Sequence, residues 1–294
     1  MNIKSDCLVC LYNQALKTSK LLELDEETTS KILFEIAKIL PNYSLDNTAP
    51  EIAKDTYHII EILTNNNDPL KTIKEKSIQE AKKVEKILYQ KINNSNDKLL
   101  TALKIAVAGN VIDFGAKEQI ELNTILNKIF DTDFAIDDYS IFKKRLNQSK
   151  KIVILGDNCG ENILDTILAS ILKQFYDIEL FYFVRGKPII NDVTYKEALN
   201  SDMTKFATII DSGVPTPGYS LKYASKESLK IFQEADMIIS KGMGNFESLY
   251  NIYLDKNNRL KGKEIFYLFV VKCNVIADAI KKSVGDIIFK RGIL

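Results

Sequence analysis

The chain reads as an α/β protein, with a mostly parallel, doubly wound sheet in its C-terminal half behind an all-helical N-terminal part. Three observations predict this. From Lys150 onward, short apolar runs alternate with stretches of helical spacing, the grammar of strand–helix–strand crossovers. Those apolar runs are continuous rather than alternating, as in strands covered on both faces. Before residue 145 the apolar residues recur only at helical spacing, between turns rich in Asn, Asp and Pro. The expected division is 1–145 helical and 146–294 α/β, with a soft boundary that allows the helices to pack on the sheet as one unit.

Cys7-Leu8-Val9-Cys10 opens the chain and runs into Leu11–Leu16, a helical pattern. A Cys-x-x-Cys pair is half of a zinc site or a redox pair. Cys159 and Cys273 are isolated and there is one His, so the second half of a zinc site is missing. No strand precedes the pair, as a thioredoxin-like motif requires, and two small residues packing a helix start explain it as well. Residues 28–40 form the next helix, with Ile32, Leu33, Ile36 and Leu40 in register and Pro41 as its stop. Ala49-Pro50-Glu51 begins another, with Pro at its first turn. His58 lies in it and suits a packed or surface position better than catalysis. Residues 73–91 and 98–110 complete the helical part, and the aspartate-rich 131–138 reads as a solvated connection. Strands follow at 152–155, 179–184, 206–210, 237–240, 265–271 and 286–289, with helices at 161–174, 226–234, 245–254 and 273–282.

Bulk composition excludes several classes. The 294 residues carry a formal net charge of +1, so electrostatics gives no sign of a nucleic-acid partner. No apolar run approaches the roughly 20 residues of a membrane span, and Met1–Asp6 lacks the apolar core of a signal peptide. Four cysteines in a chain this long make no disulfide scaffold. The expectation is a soluble, cytoplasmic protein.

Function concentrates where the strands end. In open α/β sheets, ligands bind outside the carboxyl ends of parallel strands. After the first strand come Gly156-Asp157-Asn158-Cys159-Gly160-Glu161; after the second, Arg185 and then Asn191-Asp192-Val193-Thr194. Asp211-Ser212-Gly213 follows the third strand, Lys241-Gly242-Met243-Gly244-Asn245 the fourth, and Lys272 ends the fifth. Carboxylates and carboxamides suit a hard cation, lysines suit an anion, and glycines let backbone amides approach phosphate. Asp157 or Asn158 also suits a plain helix cap. Upstream, Gly109-Asn110-Val111-Ile112-Asp113 sets two polar heads in apolar surroundings, which suits either a site or a helix end and turn.

The blocks Ala108–Gly115, Gly156–Glu161, Pro188–Thr194 and Ser240–Leu249 resemble, in order and over nearly the whole chain, the signatures of the DUF89 or ARMT1-like family of metal-dependent damage-control phosphatases. The Cys-x-x-Cys and Lys272-Cys273 pairs resemble its small prokaryotic branch. The resemblance implies a Rossmann-like three-layer α/β/α core and a divalent ion (Mn, Co, Ni or Mg) held by Asp157, Asn158 and Asp192. It implies that Asn110 and Asp113 border the site, and that Lys241, Asn245 and Lys272 serve the phosphate of a small phosphorylated metabolite. Cys159 stands where a small residue, usually Ala, is expected, and Phe246 where Tyr is common.

The implied chemistry is phosphomonoester hydrolysis, the ion polarising phosphorus or lowering the pKa of a water, with Asp157, Asp192 and Glu161 as catalytic residues. An Asp nucleophile stays open. The Asp-x-Asp-x-Thr block of haloacid-dehalogenase phosphatases is missing, which favours water, with Glu161 or Asp192 as base. Competing readings are a non-catalytic nucleotide- or sugar-phosphate-binding module and a protein carboxyl methyltransferase. No Gly-x-Gly-x-x-Gly follows a strand, which disfavours a dinucleotide-dependent oxidoreductase.

Overall fold

The computed structural model describes residues 1–109, 128–250, 252, 260 and 262–293. Five helices come first: α1 (Ser5–Leu21), α2 (Glu26–Ile39), α3 (Ala49–Thr64), α4 (Lys71–Asn93) and α5 (Lys98–Ala108). Local chemistry sets their ends. Asp25 accepts from the Thr28 amide to start α2, and Asp97 accepts from the Leu100 amide to start α5. Thr48 and Glu51 form a capping box on α3, which ends at Asn65 in the left-handed region. Pro41 stops α2, and Leu40–Asn42 tightens into a 3₁₀ turn.

A seven-stranded sheet follows: β1 (Ile136–Asp137), β2 (Lys151–Leu155), β3 (Glu179–Val184), β4 (Thr208–Asp211), β5 (Met237–Lys241), β6 (Glu264–Val270) and β7 (Ile287–Ile293). The intervening helices are α6 (Tyr139–Leu146), α7 (Glu161–Phe175), α8 (Tyr195–Leu199), α9 (Lys226–Glu234), α10 (Met243–Leu249) and α11 (Asn274–Ile280). The spatial order is β1-β7-β6-β5-β2-β3-β4. Strands β2 to β6 are parallel, and β7 turns back antiparallel on β6 with β1 parallel to it. The expected α/β/α class holds, and all six expected strands are present. β1 is additional, lying inside the stretch expected to be a solvated connection, where Phe134 is also buried. The helix expected at 245–254 starts earlier, at Met243.

Alternation along the strands splits the core in two. Ile152, Ile154, Tyr182, Ile239 and Phe266 pack against α4, α5 and α7, so helices of the N-terminal part and the sheet share one apolar core. Val153, Leu155, Phe183, Ile238 and Phe269 face the other way, against α9, α10 and α11. Ile3, Cys7 and Leu11 of the N-terminal region pack on Ile52 and Ala53 of α3 and on Val275 of α11. These contacts hold α1 over the carboxyl edge of the sheet. Among the described residues, no helix is long and apolar enough to cross a membrane.

The strand order places β2 between β3 and β5, so the chain leaves β2 toward one side and later returns on the other. Such a switch point opens a crevice at the carboxyl ends of the strands. The loops after β2 and β5 flank it.

Candidate active site

Gly156 continues β2, its amide donating to the Phe183 carbonyl at 2.9 Å. A Cβ there would lie 2.7 Å from the Tyr182 hydroxyl, so only Gly fits. The next residues zip onto the loop after β3: Cys159 N donates to Asn191 O at 2.8 Å, and Val193 N donates to Asp157 O at 2.8 Å. This pairing sets Asn158 opposite Asp192. Ile190, just before Asp192, has φ +47, a costly conformation for a β-branched residue.

Arg185 joins the two loops. Its guanidinium is 2% exposed, donates from Nε to Asp192 Oδ2 at 2.6 Å, and sits 3.7 Å from Asp157 Oδ1 through Nη2. That Nη2 is buried without a hydrogen-bond partner. On the other side, Gly242 (φ +76) brings its backbone so close that a Cβ would fall 2.0 Å from Asp157 Oδ2.

Behind these residues lies a buried ion cluster. Asn158 Nδ2 donates to Glu161 Oε1 at 2.7 Å and to Asp157 Oδ2 at 3.1 Å, which leaves its amide oxygen for the cavity. Lys241 Nζ pairs with Glu161 Oε2 at 3.3 Å and donates to Asp165 Oδ1 at 2.6 Å, and the Tyr182 hydroxyl donates to Asp165 Oδ2 at 2.9 Å. Glu161 and Asp165 are one turn apart on α7, so both face Lys241.

Burial dominates the protonation of these groups. It pushes the Asp157 carboxyl well above the usual carboxylate range, and the charges of Glu161 and Asp192 push the same way. Asp192 is raised by burial to about 6, against the pull of Arg185. Burial lowers the Lys241 ammonium, but the carboxylates of Asp165 and Glu161 outweigh it and raise it overall.

A cavity of about 700 Å³ opens in front of the cluster. Asp157, Asn158, Asp192, Lys272 and Glu247 line it on the sheet side; Cys7, Cys10, Leu11 and Gln14 of α1 and Pro50 and Ala53 of α3 line it on the other. It lies between the sheet edge and the N-terminal helices, as ligand sites at such junctions do. Of the residues singled out in the sequence, Asp157, Asn158, Asp192 and Lys272 share this cavity. Lys241, Asn245 and Glu161 do not line it; they are 0%, 0% and 1% exposed. Asn245 is a latch: its Nδ2 donates to Lys241 O at 2.6 Å and Gly156 O at 3.1 Å, and its Oδ1 accepts from Tyr219 N at 2.6 Å. Asn110 and Asp113 lie outside the described residues. Cys159 is buried, its thiol donating to the Asp192 carbonyl at 3.6 Å. Phe246 packs among the rings of Tyr250, Tyr267 and Phe269.

Sequence reading gave no role to Arg185 or Glu247. Glu247 lines the cavity, and burial raises its carboxyl to about 7 against the pull of the N-terminal amine. The sequence signal for the rear cluster was available: Asp165 and Tyr182 are polar groups inside apolar runs.

The donor set suits a hard divalent cation. Asp157, Asp192 and Asn158 offer oxygen atoms, from two carboxylates and one carboxamide; among the described residues no three His, Cys, Asp or Glu side chains group as a metal site, so the carboxamide completes this set. Four carboxylates (Asp157, Asp192, Glu161, Asp165) meet two buried cations (Arg185, Lys241), so the fully ionised cluster carries two uncompensated negative charges. A dication cancels them.

Comparison with known proteins agrees over the whole chain. Residues 3–288 match the model of the damage-control phosphatase ARMT1-like domain. An uncharacterised protein of Methanocaldococcus jannaschii is 32% identical, covering 99% of this chain and 96% of its own. A damage-control phosphatase of Pyrococcus horikoshii is 29% identical, covering 99% of this chain and 98% of its own, and one of Archaeoglobus fulgidus is 29% identical over 99% of both. The crystal structure of a DUF89 family protein from Pyrococcus horikoshii superposes with a TM-score of 0.86 over 99% of both chains, at 28% identity.

Proposed function

The chain belongs to the ARMT1-like (DUF89) damage-control phosphatase family, and on that premise we propose that it is a divalent-metal-dependent phosphatase of small phosphorylated metabolites. One observation carries the reading to these residues: Asp157, Asn158, Asp192 and Lys272 line one cavity at the sheet's switch point. Asp157, Asn158 and Asp192 would hold the ion. When bound, it supplies Lewis-acid stabilisation of charge on a phosphoryl oxygen.

The chain's own residues do the rest. Arg185 holds the carboxylates of Asp157 and Asp192 beside each other and offsets part of their repulsion. Lys272, exposed at the cavity, offers its ammonium to the phosphate oxygens as charge builds on them. Of the two candidate bases only Asp192 reaches the cavity, so the proton of the attacking water goes to Asp192. Glu161 is a positioning residue that turns the amide oxygen of Asn158 forward. Lys241 and Asn245, for which the sequence suggested phosphate contacts, act through Glu161 and through the Gly156 loop. The cytoplasm is the proposed setting.

The test is phosphate release from p-nitrophenyl phosphate, sugar phosphates and nucleotides, after chelation and again with Mn, Co, Ni or Mg. The expected result is metal-restored turnover that Asp157→Ala abolishes. Folded protein that binds these compounds and releases nothing with any ion would make it a binding module instead.

A further inference from the structure

Three of the four cysteines line the cavity that holds Asp157, Asn158 and Asp192. Cys7 and Cys10 stand one turn apart on the cavity-facing side of α1, and Cys273 caps α11 across from them. None is used by the hydrolysis described above. We infer that Cys7 and Cys10 form a reversible thiol–disulfide site in the cavity wall, which low-molecular-weight disulfides oxidise and which closes the cavity when bridged. The inference rests on the phosphatase reading only for what closure does to turnover.

The two thiols differ as the partners of such an exchange do. Cys10 is exposed, and the Gln14 amide donates to its sulfur at 3.3 Å. Cys7 is buried among Ile3, Leu11, Ile52 and Ala53, and the Lys4 amide donates to its sulfur at 3.4 Å. Burial raises the Cys7 thiol above its ordinary range, against the Lys4 contact. The exposed Cys10 is therefore attacked by no barrier of access and reacts first; Cys7 resolves.

The exchange balances as follows. Cys10 loses its proton and attacks one sulfur of a disulfide RSSR; the S–S bond breaks, a Cys10–S–S–R bond forms, and RS⁻ leaves with that proton as RSH. Cys7 then loses its proton and attacks the Cys10 sulfur, and the second RSH departs. Two protein thiols give up two electrons to one small disulfide.

Geometry links the bridge to the cavity. Residues three apart on a helix have Cβ atoms about 5–6 Å apart, whereas a disulfide needs about 3.5–4.5 Å. The first turns of α1 must tighten to close the bond. Cys7 is fixed by its packing on α3, so Cys10 moves, and the wall opposite Asp157 moves with it.

The experiment exposes the folded, full-length protein to glutathione disulfide and maps the thiols by alkylation and peptide mass. Wild type should gain a Cys7–Cys10 bridge, Cys7→Ser should stop at a glutathione adduct on Cys10, and Cys10→Ser should form neither. Cavity access is read without turnover, from N-ethylmaleimide alkylation of Cys273, which should slow by about tenfold or more in the bridged protein and recover with dithiothreitol. With Mn present, kcat/KM for p-nitrophenyl phosphate should fall in parallel. A Cys7–Cys273 bridge, an unmodified Cys10, or unchanged Cys273 alkylation in the bridged protein would overturn the inference. An inactive reduced protein would count against the phosphatase reading alone.

Discussion

Replacing Lys241 with Met separates two roles that the sequence could not. The side chain is fully buried and holds Glu161 and Asp165 at 3.3 and 2.6 Å. Met keeps most of the volume and removes the charge, leaving two buried carboxylates facing each other. Removing one partner of a buried ion cluster costs about 3–5 kcal/mol, against roughly 5–15 kcal/mol for a whole domain. At about 2 °C per kcal/mol, the melting temperature should fall by about 6–10 °C. The loss has a pH signature. Burial already raises the Asp165 carboxyl, and without Lys241 to pull it down it binds its proton more tightly still in the folded chain, so the mutant regains stability as pH falls. Its deficit should be smaller at pH 5 than at pH 8. Glu161 also loses the Lys241 contact that holds it behind the Asn158 amide, so Mn²⁺ affinity should drop as well. Urea unfolding at several pH values and calorimetric Mn²⁺ titration test this. A mutant of wild-type stability that binds Mn²⁺ normally and fails only in KM would mean that Lys241 contacts phosphate directly, and the positioning role would be wrong.

Three further outcomes follow from the same geometry. Lys272→Ala removes an exposed cation from the cavity, so kcat/KM should fall while stability stays within about 0.5 kcal/mol; a large loss of stability would refute the assigned role. Gly242→Ala puts a methyl group 2.0 Å from Asp157 Oδ2 at a φ of +76, and should cost about 1–3 kcal/mol in unfolding experiments and weaken Mn²⁺ binding. Burial raises Asp192 to about 6 and Asp157 further above its usual range, so metal binding must expel protons, and Mn²⁺ affinity should climb as pH rises through about 6. The metal-free protein behaves oppositely: carboxyls with raised folded pKa values stabilise it at low pH and lose that contribution as pH rises through 6. Calorimetry between pH 5 and 7 that finds constant affinity would exclude the carboxylates as ligands.

What the sequence could and could not show follows from the range over which each signal acts. Strands β2 to β6 and the first residues of β7 were legible because each holds a short apolar run; two-residue β1 has no period to read, and Lys290-Arg291-Gly292 hides the rest of β7. Asp157, Asn158, Asp192 and Lys272 were legible because parallel strands carry whatever follows them to one edge, so chain position becomes spatial position. The orientations of Lys241 and Asn245 were not. Each sits where a phosphate contact was reasonable, and only Asp165, 76 residues before Lys241, decides that the ammonium turns inward. The covering helix was equally out of reach. Cys7 and Cys10 read as packing residues, and for Cys7 that is right; nothing local says that α1 roofs a crevice built some 150 residues later.

The rear cluster is hard to explain as a stabilising feature. Taking Lys241, Glu161 and Asp165 out of water costs several kcal/mol per ion before their attraction returns any of it, and a packed apolar trio of similar volume would be at least as stable. What an apolar trio could not do is bind the Asn158 amide. An amide can present nitrogen or oxygen to a cavity by a half-turn, and only an acceptor behind it fixes the oxygen forward. Glu161 is the nearer of two such acceptors, beside Asp157 Oδ2; Lys241 holds Glu161 in position, and Asp165 and Tyr182 keep Lys241 in place. The front layer repeats the pattern with Arg185 between Asp157 and Asp192. Each layer carries two carboxylates and one fixed cation, and when ionised the front layer is one charge short of neutral where Asp157 and Asp192 line the cavity beside Asn158.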